Sequence, residues 1–436
     1  MWNELRASWA LLIGIGFMML GNGLQSTLLG LRATMEGFPT FTTGIMMSGY
    51  FIGIFVGSMI APKLVQRVGH IRVFAALASL ASISILVHGI YVSAITWSIM
   101  RLITGISYAG LFVVSESWLN DRASNETRGQ MLSVYMVVIT IGLGGGQFLL
   151  NLGSPANVDL FVLVSIIVSI GLIPILLTAR PAPAFALTGK MSLAELYRAS
   201  PLAVISNGLT GIAQGTVFGL GAVYARQELY DVKLISIFMA SFLLGSLIFQ
   251  WPIGWISDRV SRRVVMIGMS VMAIAACIAA MLLPKSGPLF FAVIVILGGA
   301  VMPMYSLSIA YANDRLKPEQ IVPASGGLVM VAGMGLSAGP IIVSFLMGKF
   351  GSMFYFIGIA SAFALLMVFA VYRMTVTKRV APSDRKSIVV AGLIGTPVAE
   401  YNAHDAEDYV ESIICGESGN LYEQSESNES ATERKL

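Results

Sequence analysis

Three ionisable side chains, His88, Arg101 and Glu116, fall within stretches of chain otherwise apolar enough to enter a bilayer. An arginine at the centre of a membrane helix costs roughly 2.5–3.5 kcal/mol, and less toward the interface. Arg101 must therefore face a watery cavity, a partner, or headgroups that it reaches by snorkelling. Glu116 is the only carboxylate inside these runs apart from Asp159, which stands at the very start of its run. A carboxyl in a dry site can take up and release a proton, which makes Glu116 a candidate carrier. Near the end of its run, it could equally brace loop cations such as Arg122 or Arg128. His88 carries the side chain whose charge changes around neutral pH, although a lone histidine near a helix end is more often a packed polar tip.

A second group is neutral. Asn22, Gln25, Gln147, Asn207 and Gln214, with Gln250 and Tyr305, place amides and a phenol within apolar runs. Reading the first run against the seventh at an offset of 189 aligns Gln25, Thr27 and Gly30 with Gln214, Thr216 and Gly219. Amides in hydrocarbon need partners. Facing one another across two repeats they would line a cavity and touch a solute; between neighbouring helices they would form hydrogen bonds worth only about 0.6 kcal/mol each.

The third chemistry is electrostatic and lies between the runs. Gln66-Arg67-Val68-Gly69-His70-Ile71-Arg72 is followed 192 residues on by Gly254-Trp255-Ile256-Ser257-Asp258-Arg259-Val260-Ser261-Arg262-Arg263. Asn120-Asp121-Arg122 likewise returns as Asn313-Asp314-Arg315. A carboxylate such as Asp258 at a helix C-terminus is unfavourable unless a cation or a partner helix N-terminus answers it, so it suits a latch that forms in one conformation and breaks in another. Gly254 would let the neighbouring helix ends approach. A topological cluster of cations accounts for the arginines but not for an Asp at fixed spacing. In the first copy Pro62 and Gln66 replace the Gly and the Asp, while Gly69 and Arg72 are kept, so the two halves should gate unequally.

Helices must hold all of these groups. The 436 residues are 56% hydrophobic and 11% charged, with mean hydropathy +0.80, where soluble domains carry about 25% charged residues. A spanning helix needs roughly 20 apolar residues because lipid offers no partner to an open backbone. Twelve runs qualify: 9–31, 42–62, 72–92, 95–117, 130–151, 158–178, 202–224, 234–256, 263–283, 288–311, 322–346 and 352–373. The expected fold is an all-α membrane protein of twelve helices in two pseudosymmetric bundles, 1–178 and 202–373, joined by a linker at 179–201 and followed by an acidic tail at 374–436. Within the linker, Ser192 and Glu195 are spaced as a capping box that opens a short surface helix. With the N-terminus inside, the inner segments carry 19 Lys and Arg against 5 in the outer ones, which predicts that both termini are cytoplasmic. From Ser383 onward 11 acidic residues face four basic ones, and this composition predicts a solvated tail.

The motif Gly254-x-x-x-Asp258-Arg259-x-x-Arg262-Arg263 resembles that of the major facilitator superfamily, over roughly residues 5–375. Arg101-Leu102-Ile103-Thr104-Gly105 with Gly110 is similar to an element linked to coupling in proton-driven members. Gly333, Gly335, Gly339 and Pro340 are similar to the glycine-rich element that antiporters carry in helix 5. Here helix 5 has Gly142, Gly144, Gly145 and Gly146 but no proline. The run Ser115-Glu116-Ser117-Trp118-Leu119-Asn120-Asp121-Arg122 with Asn125-Glu126-Thr127-Arg128-Gly129 is similar to the bacterial YcaD-like branch. The resemblance implies a monomeric secondary transporter of the inner membrane, proton-coupled, with efflux favoured over uptake, moving a small solute and touching membrane lipid. A nutrient symporter and a transporter-like sensor that signals through its tail are the other readings. No phosphate-binding loop, catalytic triad, metal cluster or nucleic-acid surface is expected, so neither an enzyme nor a cofactor is implied.

Overall fold

The computed structural model describes residues 2–122, 127–177, 191–229, 231–285 and 287–376. These form α1 (Trp2–Met35), α2 (Thr40–Val68), α3 (His70–Ile90), α4 (Ala94–Arg122), α5 (Arg128–Leu149) and α6 (Asp159–Leu176), then the short α7 (Leu193–Ala199). The second set is α8 (Pro201–Leu229), α9 (Val232–Arg259), α10 (Arg262–Leu282), α11 (Pro288–Val301), α12 (Met304–Asn313), α13 (Pro318–Phe350) and α14 (Phe354–Val376). No strand occurs among the described residues. Eleven segments are long and apolar enough to cross a membrane, with α11 and α12 counting as one. The twelfth helix of that length, α8, has 29 residues but buries Ser206, Asn207, Thr210, Gln214 and Thr216, which lower its hydropathy. The expected acidic tail lies outside the described residues.

Local chemistry sets the breaks. Gly69, at φ +90°, ends α2 and opens α3 in a conformation that a side chain disfavours. Pro303 interrupts the run read as one helix over 288–311, because proline lacks an N–H and clashes with the preceding turn. α7 opens as its sequence indicates: the Ser192 hydroxyl accepts from the Glu195 N–H at 3.2 Å, and the Ser192 N–H donates to Glu195 Oε2 at 3.0 Å.

The two sets of helices repeat the same backbone contacts. A methyl at Gly23 of α1 would strike the Leu143 carbonyl of α5, and one at Gly215 of α8 would strike the Leu336 carbonyl of α13. Gly53 and Gly105 join α2 to α4 against the Leu102 and Tyr50 carbonyls, as Gly245 and Gly298 join α9 to α11 against those of Val295 and Phe242. These pairs stand 192 or 193 residues apart. The register of 189 read from the amides is therefore corrected: Asn22, not Gln25, is the counterpart of Gln214. Glycines at backbone contacts cannot be exchanged without moving helices, whereas polar side chains can shift by a turn and still find partners.

Contacts between the sets lie toward the end of the bundle opposite the termini. Ser48 donates to the Ser337 carbonyl at 2.8 Å, Asn151 Nδ2 to Ser236 Oγ at 3.1 Å, and Gln227 Nε2 to Thr40 Oγ1 at 3.5 Å. Phe41 and Phe345 meet edge-on at 5.9 Å. Gly44 abuts Ser344 and Gly30 abuts Ala222. The repeat register maps Gly44 onto Ser236, Ser344 onto Asn151 and Gly30 onto Ala222. The interface thus obeys the same pseudo-two-fold relation as the helices.

Candidate functional site

The close approach of α2 and α4 at Gly53 and Gly105 sets Arg101 against Tyr50. The Arg101 guanidinium carbon lies 4.4 Å from the centre of the Tyr50 ring, within cation–π range. Asn22 Nδ2 of α1 donates to the Tyr50 hydroxyl at 3.0 Å, and the Tyr108 hydroxyl donates to the Met18 carbonyl at 3.0 Å. Arg101 is only 1% exposed. Its Nε and Nη1 have no hydrogen-bond partner, and neither do Asn22 Oδ1 and Gln25 Nε2. Of the three placements open to Arg101, snorkelling to the headgroups is thereby removed: the side chain points into protein.

His88 packs beside this group, its ring 5.7 Å from that of Trp97, which lies one turn before Arg101. Nδ1 of His88 is 2.6 Å from the Ser84 carbonyl, while Nε2 is unpartnered. Glu116 is buried against Tyr135 of α5. It stands fifteen residues along α4 from Arg101, about 22 Å at the helical rise, so the three ionisable groups do not form one site. His70, buried at the start of α3, reaches Ser117 Oγ at 3.0 Å.

Most of the amides are already used. Gln147 donates to the Gly23 carbonyl at 3.0 Å and to that of Leu143 at 3.1 Å, and it accepts from Thr27 Oγ1. Gln214 donates to the carbonyls of Val301 and Met302 at 3.4 and 3.3 Å, the groups that the break at Pro303 frees. In this conformation Gln147 and Gln214 make the inter-helix hydrogen bonds that were the second reading of these amides. Gln250 donates to Ser306 at 3.1 Å, and Tyr305 beside it is buried. Asn207 differs: both of its amide atoms, and Thr210 Oγ1 one turn on, are buried without partners.

The charged cluster is also arranged differently from the expectation. Asp258 is 41% exposed and, among the described residues, pairs with Arg262 alone, at 3.9 Å. Arg262 instead grips Asp314 with two nitrogens, Nε to Oδ2 at 2.7 Å and Nη2 to Oδ1 at 3.2 Å, both side chains being 3% exposed or less. The last turn of α9 directs Asp258 outward, while Arg262 at the start of α10 points in toward α12. A methyl at Gly254 would meet nothing within 4 Å, so this glycine does not mediate a close contact here. Arg263 donates to the Tyr311 hydroxyl at 3.2 Å and the Arg373 carbonyl at 3.3 Å, while Arg315 stacks on Tyr311 at 3.8 Å and Arg259 on Trp255 at 3.9 Å. Burial pulls the Arg315 guanidinium pKa down from its ordinary value. All of these contacts stay within the second set of helices, so they brace it rather than bridge the two. In the first set Arg67 and Arg72 are exposed at the α2–α3 break. The side chains of Asp121 and Arg122 lie outside the described residues.

Tyr50, Tyr108 and Trp97 were not singled out from the sequence. A usable signal existed for Tyr50, since Gly49, Gly53 and Gly57 repeat every four residues and mark the face on which α2 meets α4.

Two repeated bundles with polar groups buried at mid-helix define a membrane transporter rather than an enzyme. A family model described as Major Facilitator Superfamily matches residues 11–229 and 203–404, and the chain belongs to that superfamily. Within it, the chain is similar to the MFS-type transporter YcaD of Escherichia fergusonii, 27% identical over 354 residues that cover 80% of this chain and 91% of the relative. YcaD of Salmonella newport is 26% identical over 353 residues, with the same coverage. Among solved structures, the nucleoside transporter NupG superposes with a TM-score of 0.72 at 15% identity, over 85% of this chain and 99% of that one. A bacterial homologue of the human lysosomal transporter Spinster, in an inward-facing and occupied conformation, gives 0.68 at 16%, over 88% and 98%. At those identities the likeness is one of fold.

Proposed function

We propose that this protein carries a small solute by alternating access, driven by the proton gradient and in the direction of export. One observation carries the reading: the contacts between the two repeats gather at one end and obey their pseudo-symmetry, as expected of two rigid bundles that rock about a central site. The excess of Lys and Arg at the terminal end assigns that end to the cytoplasm. On this reading the contacts at Asn151–Ser236 and Ser48–Ser337 close the outer side, which corresponds to an inward-facing state, the one in which an exporter loads. Glu116 is the carboxylate suited to proton carriage, since Arg101 holds its proton permanently.

Cysteines at Asn151 and Ser236, with Cys277 and Cys415 replaced by Ala, test the rocking motion in proteoliposomes. Oxidation should abolish solute flux and reduction should restore it. Unchanged flux with the bridge formed would end the alternating-access reading. A pH-sensitive dye trapped inside tests coupling: solute addition should move protons in wild type and not in Glu116→Gln.

A further inference from the structure

We infer that Arg101 is the anchor for an anionic oxyacid group, a carboxylate or a phosphate, on the transported solute. This rests on the transport reading above and names the substrate class of its central site. A guanidinium cannot give up its proton to escape burial, so a buried one has to be answered by charge or by a full set of acceptors. Arg101 has neither. It makes no ion pair among the described residues, and the titratable groups that face it are Tyr50, Tyr108 and His88, none of them a carboxylate. The Tyr50 ring offers a π face, and Asn22 holds that ring by its hydroxyl, yet Nε and Nη1 remain empty-handed.

The neighbouring vacancies have matching polarity. Gln25 lies one helical turn beyond Asn22 on α1, and its Nε2 is a third buried donor without an acceptor. Asn22 Oδ1 is an acceptor without a donor, suited to a hydroxyl or amine beside the anionic group. The open N–H groups at Nε and Nη1 lie on different edges of the guanidinium, so an oxyacid oxygen accepts from one of them while its charge answers the cation. The second repeat has no such cation. The counterparts of Arg101 and Tyr50 are Ile294 and Phe242, so the site takes a single negative group.

The test uses the purified full chain and paired probes: benzoate with benzamide, and phenyl phosphate with phenol. Thermal unfolding should shift upward with one of the anions and not with its neutral twin, and the choice between the two anions tells carboxylate from phosphate. Arg101→Gln should weaken that affinity about ten- to a hundredfold, as expected of a lost hydrogen bond to a charged group. Arg101→Lys should recover part of it, and Gln25→Leu, which leaves the cation in place, should weaken it less. Equal stabilisation by anion and neutral twin, stabilisation by neither, or an Arg101→Gln affinity equal to wild type would overturn the inference. Counterflow in proteoliposomes separates this outcome from the transport reading. Anion binding without counterflow would remove transport and keep the site; counterflow of neutral probes alone would remove the site and keep transport.

Discussion

In the first repeat a guanidinium, Arg101, is buried on the Tyr50 ring two turns into α4, while the same places in the second repeat hold Ile294 and Phe242, both buried and apolar. At the terminal end the distribution reverses. The second repeat keeps Arg262 clamped on Asp314, and the first has His70, bonded to Ser117, where Arg262 would be. The glycine contacts between helices are the same in both. One scaffold has thus been charged at different depths: a buried cation two turns into α4 in one bundle, proposed above for recognition, and an end-of-helix ion pair that braces the other. Duplication conserved the backbone approach, where an added methyl would strike a carbonyl, and left the polar groups free to specialise.

The largest expected effect separates Asp314 from Asp258 in the charged cluster of the second repeat. Asp314→Asn leaves the Arg262 charge buried against a neutral amide and should cost about 3–5 kcal/mol. Asp258→Asn, at an exposed and loosely paired position, should cost at most about 1 kcal/mol. Comparable losses in thermal unfolding would put the brace on both residues and undo the distinction drawn here.

A smaller effect tests the shared scaffold. Gly53→Leu and Gly245→Leu intrude on equivalent carbonyls and should each cost about 1–3 kcal/mol by overpacking. Only the first should also reduce anion affinity, because only there does the contact seat a cation. If both variants impaired binding alike, the site would span both repeats rather than belong to one.

The smallest effect sharpens the comparison most. Arg101→Ile converts the first repeat to the residue of the second. Replacing an unpaired buried charge by a packed aliphatic group should leave the unfolding midpoint unchanged or slightly raised, while anion binding is lost. A clear fall in stability would mean that Arg101 holds the bundle together, as Arg262 does.

Parts of this architecture were legible in the sequence and parts were not, for reasons visible in single residues. The helices were legible because hydropathy sums over some twenty neighbours and tolerates local exceptions. The break at Pro303 was missed, although a proline within the run announced it, and α8 was read as one more apolar run although its buried hydroxyls and amides lower its hydropathy. For Arg101 a cavity, a partner and the headgroups were all open; its platform, Tyr50, comes from a helix two elements earlier and is brought near by glycines that carry no chemistry of their own. Asp258 drew attention by its motif spacing, yet spacing does not say which way a side chain points. The α9 axis turns Asp258 outward and leaves Asp314, 52 residues beyond Arg262, as the partner.

The chain alone determined that this is a duplicated, multi-helix membrane protein, since bilayer thickness and backbone hydrogen bonding impose lengths and compositions that can be counted along one dimension. Which amides are satisfied, which carboxylate is clamped, and which arginine is left with open donors was decided only by the tertiary structure. Each of those answers depends on the rotation of a helix about its axis and on its distance from a partner far away in sequence, and no local count of residues contains either.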